Sequence, residues 1–418
     1  MNPTDLHSFY IRHLTEQLLP FWKKAVDPKY GGVFTGFDNR GEALLHRDKF
    51  TWSQGRFLWI WSRIGDLCRR GVLNEEEETY FREAKRTYEF IDRHVYLPDG
   101  SCRFLLTEEG EPLESIPGEG QDISFYADCF VVMGNAEYAR ATGQEEAYRK
   151  AVSLFEHVER RVRAETARSE PYPIPAGCEA HGYAMILLNS CQALADAAEG
   201  LGRMEEAEAY RGRALEYARR IVSLFTDSSC RIREVIPAGR PEDAPRTLLL
   251  RHLNPGHSVE SLWFVLTEAE KAGDQEMIEA CSAALKKALS MGWDREHGGL
   301  LRYVDLDGGV PAGDPHPGAE RFEALIRETW DMKLWWPHSE ALYACRLAYQ
   351  LTDDTGFLEW YDLVHAYTFQ TFPADKGREW IQIRTRTGEP VERVVALPVK
   401  DPYHIIRNLL LLIERTAT

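Results

Sequence analysis

The chain contains no hydrophobic run long enough to cross a membrane. No stretch of its 418 residues approaches the roughly 18 uninterrupted apolar residues that a spanning helix needs, and the best candidate, Ile405 to Ile413, contains Arg407 and Asn408. The first residues lack the basic segment followed by an apolar segment that marks a secretory signal peptide. The eight cysteines are scattered and form no CxxC pair, a pattern typical of reduced thiols. These absences predict a cytoplasmic protein with no membrane partner.

Positive charge is also scarce in this sequence. There are 50 lysines and arginines against 66 aspartates and glutamates, so the formal net charge is −16. Because phosphate recognition needs a basic surface, this balance argues against a nucleic-acid partner. The hydrophobic fraction of 44% is ordinary for a globular protein and suffices for a core. No Pro/Ser-rich linker divides the chain, which predicts a single domain over residues 1–418.

Several motifs that carry cofactor or nucleophile chemistry are missing. The sequence has no GxGxxG, GxxxxGK[ST] or GxSxG motif and no protein-kinase motif set. It also has no HExxH pair and no second pair of residues with metal-ligand spacing. We therefore expect neither a dinucleotide site, a P-loop, a hydrolase nucleophile elbow nor a metal centre.

Helical periodicity, in contrast, runs through most of the chain. Apolar residues recur at i, i+3, i+4 and i+7 in about a dozen long stretches. Stretches that open with acidic runs and have one charged face alternate with stretches that are apolar on almost all sides, which predicts outer and inner helices. Six helical hairpins closed into a double-layered ring, an (α/α)6 barrel, fit this alternation better than an open solenoid, because no exact repeat recurs. The stretches lie near residues 4–24, 49–71, 75–96, 121–142, 144–166, 180–202, 204–225, 258–272, 274–291, 331–353, 355–372 and 402–415.

Short strand-like pieces lie between some of these helices. Residues 29–42, 99–111, 297–309 and 378–390 show alternation and glycine-bearing turns, which predicts short surface β-hairpins. The first and third pieces also share one pattern of aspartates around a Gly-Gly pair and a branched apolar residue. Its two copies have the same spacing and are Asp27, Gly31, Gly32, Val33 and Asp38, and Asp294, Gly298, Gly299, Leu300 and Asp305. We interpret this pattern as a repeated turn.

Two sites on the predicted inner helices carry charged side chains. Arg56 lies in an aromatic stretch, where a guanidinium must either be ion-paired or face a ligand. His257 follows a Pro-Gly pair, and we expect a helix to begin at about Ser258 with His257 at its mouth. Glu260, three residues on, can share its face and tune it as an acid or base. A capping role for His257 is the alternative.

Two further sites lie near the C-terminal end. Trp335 and Trp336 are followed by His338 and Glu340 at the start of a very apolar stretch. Flat aromatic rings next to hydrogen-bonding groups suit a sugar, whose faces are apolar and whose edges are polar. His404 directly precedes the last apolar helix and is a weaker candidate when taken alone.

Taken together, these sites resemble the N-acylglucosamine 2-epimerase family, which also includes cellobiose 2-epimerases and aldose–ketose isomerases. The resemblance spans the chain from about residue 50 to residue 404, and the order of the motifs matches the family. It implies an (α/α)6 barrel and a carbohydrate 2-epimerase that needs no redox cofactor or metal. The matching pieces are Trp52-Ser53-Gln54-Gly55-Arg56, Asn254-Pro255-Gly256-His257-Ser258-Val259-Glu260, Lys333-Leu334-Trp335-Trp336-Pro337-His338-Ser339-Glu340 and Tyr403-His404.

The resemblance also implies roles for the catalytic residues. His257 and His404 are similar to the two acid/base histidines that face each other across the sugar C2. Arg56 corresponds to the arginine that binds the substrate oxygens and the developing enediolate. Glu260 is implied to support the first histidine, and Glu340 to assist substrate binding or proton handling.

The substrate pocket is implied with less detail. Trp52, Trp336 and His338 resemble pocket residues, and His252 is expected to join them. The run from Met185 to Asn189 resembles the N-acylglucosamine branch, whereas cellobiose 2-epimerases have a histidine near Met185. Family members form homodimers and some are activated by ATP, but no motif here predicts a nucleotide site.

Three functions remain open at this point. The favoured one is the 2-epimerisation of N-acyl-D-glucosamine and N-acyl-D-mannosamine, with the mannose–fructose isomerase and cellobiose 2-epimerase activities as alternatives within the family. An α/α-barrel glycoside hydrolase acting through Glu260 and Glu340 is a more distant alternative. A non-catalytic helical scaffold is disfavoured, because a scaffold has no reason to bury arginine and histidine.

Overall fold

Helices of two kinds alternate along the computed structural model, which describes residues 3–239 and 246–416. A π-helical segment, His13–Leu18, joins the first two helices, and another, Ile221–Phe225, extends the eighth. In chain order the helices are α1 (Pro3–Arg12), α2 (Leu19–Lys24), α3 (Thr51–Arg69), α4 (Glu77–His94), α5 (Phe125–Thr142), α6 (Glu145–Arg163), α7 (His181–Gly200), α8 (Met204–Arg220), α9 (Leu248–Arg251), α10 (Pro255–Ala272), α11 (Gln275–Gly292), α12 (Glu320–Thr329), α13 (Trp335–Thr352), α14 (Gly356–Thr371) and α15 (Tyr403–Thr416).

The inner helices form a closed ring. Helices α3, α5, α7, α10, α13 and α15 each pack against the next in this order, and α15 returns to α3. Buried residues occupy nearly all sides of these helices, as the apolar stretches predicted. The closed (α/α)6 barrel is therefore confirmed, and the open solenoid is excluded.

The outer helices cover this ring. Helices α4, α6, α8, α11 and α14 each pack on the inner helix that precedes them, and α1 packs on α15. Acidic residues open the outer helices, as with Glu77 and Glu78 in α4 or Glu145 and Glu146 in α6, where they favour the positive end of the helix dipole. None of the helices in the described part of the chain is both long and apolar enough to span a bilayer.

Short antiparallel strands stand directly before four of the inner helices. Strands β1, β4, β6 and β8 precede α3, α7, α10 and α13, and each pairs with a strand that follows an outer helix. These pairs fix the starts of the inner helices at one end of the barrel. The strands are β1 (Lys49–Phe50), β2 (Leu105–Leu106), β3 (Pro112–Leu113), β4 (Cys178–Ala180), β5 (Val235–Pro237), β6 (His252–Leu253), β7 (Val304–Asp305), β8 (Lys333–Leu334) and β9 (Ile383–Arg384).

The strand-like pieces differ in how they pair. Residues 99–111 contribute to the β2–β3 hairpin, as predicted. Residues 297–309 and 378–390 instead supply β7 and β9, which pair with β6 and β8. Residues 29–42 form only isolated bridges. The chain thus uses its strands mainly to hold the entrances of inner helices, a long-range pairing that local alternation cannot predict.

The repeated Asp and Gly-Gly pattern is a lysine-anchored turn. In the first copy, Lys49 Nζ lies 2.6 Å from Asp27 Oδ2 and 2.8 Å from the carbonyl oxygen of Gly31. In the second copy, Lys333 Nζ lies 3.0 Å from Asp294 Oδ2 and 3.3 Å from the carbonyl oxygen of Gly299. The interpretation as a repeated turn is confirmed.

We predict that the buried lysines stabilise the fold measurably. Both side chains of the Lys49–Asp27 pair are essentially inaccessible to solvent. Lys49→Met would leave the Asp27 carboxylate buried without its cation, and we expect the free energy of unfolding to fall by about 3–5 kcal/mol in urea titration. Lys23→Met is the control, because Lys23 forms an exposed pair with Glu75 and should change stability by about 0–1 kcal/mol. Equal effects of the two substitutions would contradict the anchoring role.

Candidate active site

A cavity opens where the first turns of the six inner helices meet. It holds about 1090 Å³ of space not filled by atoms, including the part open to solvent. Three predicted site residues, Glu340, His338 and His252, do not line it. The predicted site residues that do line it are Trp52, Arg56, Asn189, His257, Glu260, Trp336 and His404.

Helix α10 begins earlier than predicted. Its N-cap is Asn254, whose side chain accepts the backbone N–H of His257, and Pro255 is its first residue. Ser258 therefore lies inside the helix and does not cap it. A Cβ atom at Gly256 would lie 2.5 Å from the Trp336 ring, so glycine at this position lets Trp336 approach His257.

His257 is paired with a carboxylate that sequence analysis did not identify. Its Nδ1 lies 2.6 Å from Glu234 Oε1, whereas Glu260, the expected partner, makes its closest contact elsewhere. Burial alone would lower the pKa of His257, but Glu234 outweighs burial, so the pKa is raised above the usual histidine value. Glu234 therefore stabilises the protonated form of His257.

Glu234 carried no sequence signal, because it lies 23 residues before His257. It directly precedes β5, and its carbonyl oxygen accepts the backbone N–H of His181 at the start of α7. His257 and His181 hold the pKa of Glu234 below the usual glutamate value despite its burial. Only a fold that pairs β4 with β5 brings this carboxylate to His257.

His404 is the second histidine of the cavity and has the opposite electrostatic environment. Its Nδ1 lies 2.6 Å from Glu340 Oε1, and its Nε2 lies 3.5 Å from Arg56 Nη2. Burial is the main cause of a pKa lowered to about 3, and the guanidinium groups of Arg56 and Arg407 lower it further against the carboxylate of Glu260. His404 is therefore neutral at neutral pH.

Arg407 connects the two glutamates that were predicted as catalytic residues. Its Nη2 lies 2.6 Å from Glu260 Oε1 and 2.7 Å from Glu340 Oε1. Glu340 also accepts the indole N–H of Trp263 at 2.6 Å and is completely buried behind His404. Glu340 thus orients His404 and does not reach the cavity, whereas Glu260 lines it.

Among the described residues, the ligand atoms of this cluster lie close enough together to surround a metal ion. Ligand atoms of Glu260, Glu340 and His404 lie within 4.8 Å of one another. However, Arg407 already supplies a positive charge to both carboxylates, and His404 is bonded to one of them through Nδ1. These contacts favour a buried ion-pair cluster over a metal centre.

Arg56 combines the two roles that the sequence left open. It is ion-paired with Asp401, and it also lines the cavity beside His404. Its guanidinium carbon lies 3.9 Å from the centre of the Phe130 ring, which holds the planar group in place. Asp401 was not identified from the sequence, since it comes from the distant segment before α15.

Aromatic and apolar groups form the remaining walls. The Trp336 ring centre lies 5.3 Å from that of His257 and 5.4 Å from that of His404, so this tryptophan is a neighbour of both histidines. Met185 and Asn189 line the wall contributed by α7. Val395, Ala396, Leu397 and Val399 cover the cavity from the segment after β9, which sequence analysis did not include.

The structure places the two other predicted pocket histidines behind the cavity wall. His338 Nε2 accepts the backbone N–H of Leu300 at 2.8 Å, and its Nδ1 donates to the carbonyl oxygen of Leu334 at 2.6 Å. Burial lowers its pKa to about 3. His252 Nδ1 donates to the carbonyl oxygen of Leu249, and its ring packs on Tyr303. Neither placement supports the expected contact with substrate.

His338 instead corresponds to Gln54 in the first copy of the repeated turn. Gln54 Oε1 accepts the backbone N–H of Val33 at 2.9 Å, as His338 does for Leu300. Each residue follows the anchoring lysine, Lys49 or Lys333, by five positions. His338 therefore fastens a turn.

We predict that glutamine can replace His338. His338→Gln should retain the wild-type unfolding free energy and sugar turnover, whereas His338→Ala should lose about 1–3 kcal/mol because it leaves a buried N–H without an acceptor. Gln54→Ala is the matched control and should lose a similar amount. A large drop in kcat/KM for His338→Gln with unchanged stability would restore the role in substrate binding.

Comparison with known proteins identifies the family. A sequence profile described as N-acylglucosamine 2-epimerase (GlcNAc 2-epimerase) matches residues 32–408. The N-acylglucosamine 2-epimerases of Homo sapiens and Mus musculus are 28% and 26% identical over 94% of this chain, and the matches cover 86% and 88% of those proteins. Cellobiose 2-epimerase from Bacillus thermoamylovorans B4167 shares the fold, with a TM-score of 0.77, 20% identity and coverage of 99% of this chain and 100% of that chain. A D-mannose isomerase gives a TM-score of 0.75 at 16% identity, with coverage of 99% and 97%. The chain belongs to the N-acylglucosamine 2-epimerase family of isomerases, as its four motifs predicted.

Proposed function

We propose that the enzyme interconverts N-acyl-D-glucosamine and N-acyl-D-mannosamine. The observation that carries this proposal is the pair of histidines, His257 and His404, whose pKa values are shifted in opposite directions at one cavity. Each ring uses Nδ1 to contact a buried carboxylate, so Nε2 is the nitrogen that can reach the substrate, and in His404 it also lies 3.5 Å from Arg56 Nη2. One protonated and one neutral histidine are the acid and the base that inversion at a carbon requires.

The proton transfer uses both histidines in turn. In the open-chain sugar, Nε2 of His404 takes the proton from C2, the C–H electron pair forms the C1=C2 double bond, and the carbonyl electrons move to O1. Nε2 of His257 then gives its proton to the other face of C2, and the carbonyl at C1 is restored. The reverse reaction exchanges the two roles, and each histidine recovers its starting state by proton exchange with water.

Arg56 supports this proposal because negative charge develops next to it. Its guanidinium lies beside His404, and the stacking on Phe130 and the ion pair with Asp401 fix its position before the reaction begins. A fixed cation stabilises the enolate oxygen without reorganisation cost. Trp336, whose ring lies close to both histidines, offers a flat surface for the apolar face of the sugar.

The choice of an N-acyl sugar rests on the relatives and on the wall formed by α7. The N-acylglucosamine 2-epimerases of Homo sapiens and Mus musculus are 28% and 26% identical over 94% of the chain, whereas the cellobiose 2-epimerase of Ruminococcus albus is 24% identical over 97% of it and that of Bacteroides fragilis 31% identical over 35%. Met185 lines the cavity where cellobiose 2-epimerases have a histidine. The mannose–fructose isomerase reaction shares the first proton transfer, so the experiment below includes it.

A glycoside hydrolase fits the geometry less well. Glu260 and Glu340 both contact the same nitrogen of Arg407, and Glu340 is buried away from the cavity. A hydrolase needs one carboxyl group protonated and both groups in reach of the glycosidic bond. This arrangement provides neither.

The proposed reaction needs no cofactor, because two histidines and Arg56 supply every proton and charge that it uses. From the family alone we also propose a cytoplasmic homodimer. Activation by ATP, known in some members, would require a nucleotide site that the sequence motifs do not predict.

We predict that proton NMR in D₂O will follow the reaction directly. Wild-type enzyme given N-acetyl-D-mannosamine should produce N-acetyl-D-glucosamine with deuterium at C2. His257→Ala and His404→Ala should each lower turnover by at least about 10²–10⁴-fold, because each removes a general acid–base group. Formation of fructose from mannose while N-acetylmannosamine stays unchanged would assign the isomerase reaction instead, and near-normal turnover in either variant would refute the two-histidine mechanism.

We also predict that Glu234→Gln changes the pH profile. Both directions of the reaction use the singly protonated histidine pair, so the alkaline limb of kcat/KM reports loss of the proton held by His257. Without Glu234, burial lowers the pKa of His257, and the limb should move to lower pH. At alkaline pH the rate should then fall about tenfold for each pH unit by which the limb moves.

Glu179→Gln is the control, since Glu179 lies on neighbouring β4 and pairs with the exposed Arg220. An unchanged alkaline limb in Glu234→Gln would show that Glu234 does not tune His257.

A further inference from the structure

A second compartment adjoins the active-site cavity beside His257. The two spaces share wall residues, including His257, Trp336, Tyr126 and Gly182. Beyond them the second compartment has apolar walls and three polar side chains, namely Glu234, Asn254 and Arg302. The mechanism above uses only Glu234 from this set, and only through its Oε1 atom.

Arg302 is a buried cation without a carboxylate partner. Among the described residues no carboxylate lies within 4.0 Å of it, whereas the other arginines of the cavity, Arg56 and Arg407, are both ion-paired. Its side chain makes hydrogen bonds to Thr329 Oγ1 and to the carbonyl oxygen of Val395, each at 2.8 Å, and to Tyr172 Oη at 3.5 Å. The Tyr303 hydroxyl is a fourth partner, so one of the five N–H donors of the guanidinium remains for a ligand.

The other free group in this compartment is an acceptor. Glu234 Oε2 is buried and has no hydrogen-bond partner within 3.5 Å, and His181 Nδ1 lies 3.7 Å from it. The compartment therefore offers a free donor on Arg302 and a free acceptor on Glu234. An amide, which has one carbonyl oxygen and one N–H, matches this set. An anionic group would be repelled by the unpaired carboxylate oxygen of Glu234.

The second compartment lies next to the expected position of C2, the carbon that reacts. The histidines must approach C2 closely, so the substituent on C2 has to lie beside them. The second compartment begins at His257, whereas the hydroxyl group of a 2-hydroxy sugar would leave it empty. Tyr172 and Phe322 provide an apolar wall for the alkyl part of an acyl group.

We propose that this compartment binds the 2-acylamido group of the substrate, with Arg302 donating to the acyl oxygen and Glu234 Oε2 accepting the amide N–H. This inference rests on the proposed function and adds to it the residues that select an N-acyl sugar. Arg302 is a specificity residue, because it contacts the substituent and not the atoms that exchange a proton.

The test compares Arg302→Met with wild-type enzyme on N-acetyl-D-mannosamine and on D-mannose as a competitive inhibitor. We expect Arg302→Met to raise KM for the N-acetyl sugar by about 10- to 100-fold, since it removes a hydrogen bond from a charged donor, with a smaller change in kcat. The inhibition constant of mannose should change less than twofold. Arg327→Met is the matched control, because Arg327 is half-exposed and pairs with Glu323 outside both cavities.

A second variant keeps the test informative if Arg302→Met fails to fold. Ala180 lines the second compartment and not the main cavity, so Ala180→Leu should reduce its volume. Wild-type enzyme should accept N-propanoyl- and N-butanoylmannosamine, whereas Ala180→Leu should lose kcat/KM by at least about tenfold for each added methylene that no longer fits.

Four outcomes would overturn the inference. An unchanged KM for the N-acetyl sugar in a folded Arg302→Met variant would overturn the inference and leave the epimerase function intact. An unchanged preference for acyl length in Ala180→Leu would also overturn the inference. Competitive inhibition by inorganic phosphate that disappears in Arg302→Met would assign the guanidinium to an anion. Failure of wild-type enzyme to convert N-acetylmannosamine at all would contradict the proposed function itself.

Discussion

Inner helices that are buried on nearly all sides place the charged and acid–base residues of the cavity in their first turns. A charged or hydrogen-bonding group in the middle of such a helix would lose water without a partner, whereas a group in the first turns can meet partners from the loops. Short strand pairs hold four of these helix starts at the same end of the barrel. The cavity and its chemistry follow from this placement, because Arg56, His257 and His404 all lie in first or second turns.

The buried charges of the site are compensated in separate groups. Glu234 contacts His257, Arg407 contacts two glutamates, and Asp401 contacts Arg56. Since each histidine lies in a different group, the pKa of the same residue type is shifted in opposite directions a short distance apart. Burial lowers the pKa of both rings, and only His257 has a carboxylate, Glu234, that outweighs it.

The sequence was sufficient for the barrel and for the acid–base and substrate-oxygen candidates that line the cavity. Arg56, His257 and His404 stand in motifs whose residue types already imply chemistry. Their partners Glu234 and Asp401 stand in segments with no such pattern, and only long-range pairing brings them close.

For two side chains, Glu260 and His338, the sequence predicted contacts that differ from those in the structure. Glu260 shares a helix with His257, but its carboxylate contacts Arg407 of α15. His338 lies between pocket residues in the sequence, yet its ring is directed at a turn, in the manner of Gln54. A helix places consecutive residues on different faces, so neighbours in a motif need not share a function.

The common orientation of the inner helices has an electrostatic consequence for the reaction. Each helix start carries the positive end of a dipole, equivalent to roughly half an elementary charge, and six such ends surround the cavity. The chain as a whole is strongly acidic, with a net charge of −16. Within an acidic protein the barrel thus directs the positive ends of its inner helices at the cavity, and the anionic intermediate of the proposed reaction would form where backbone amides favour it.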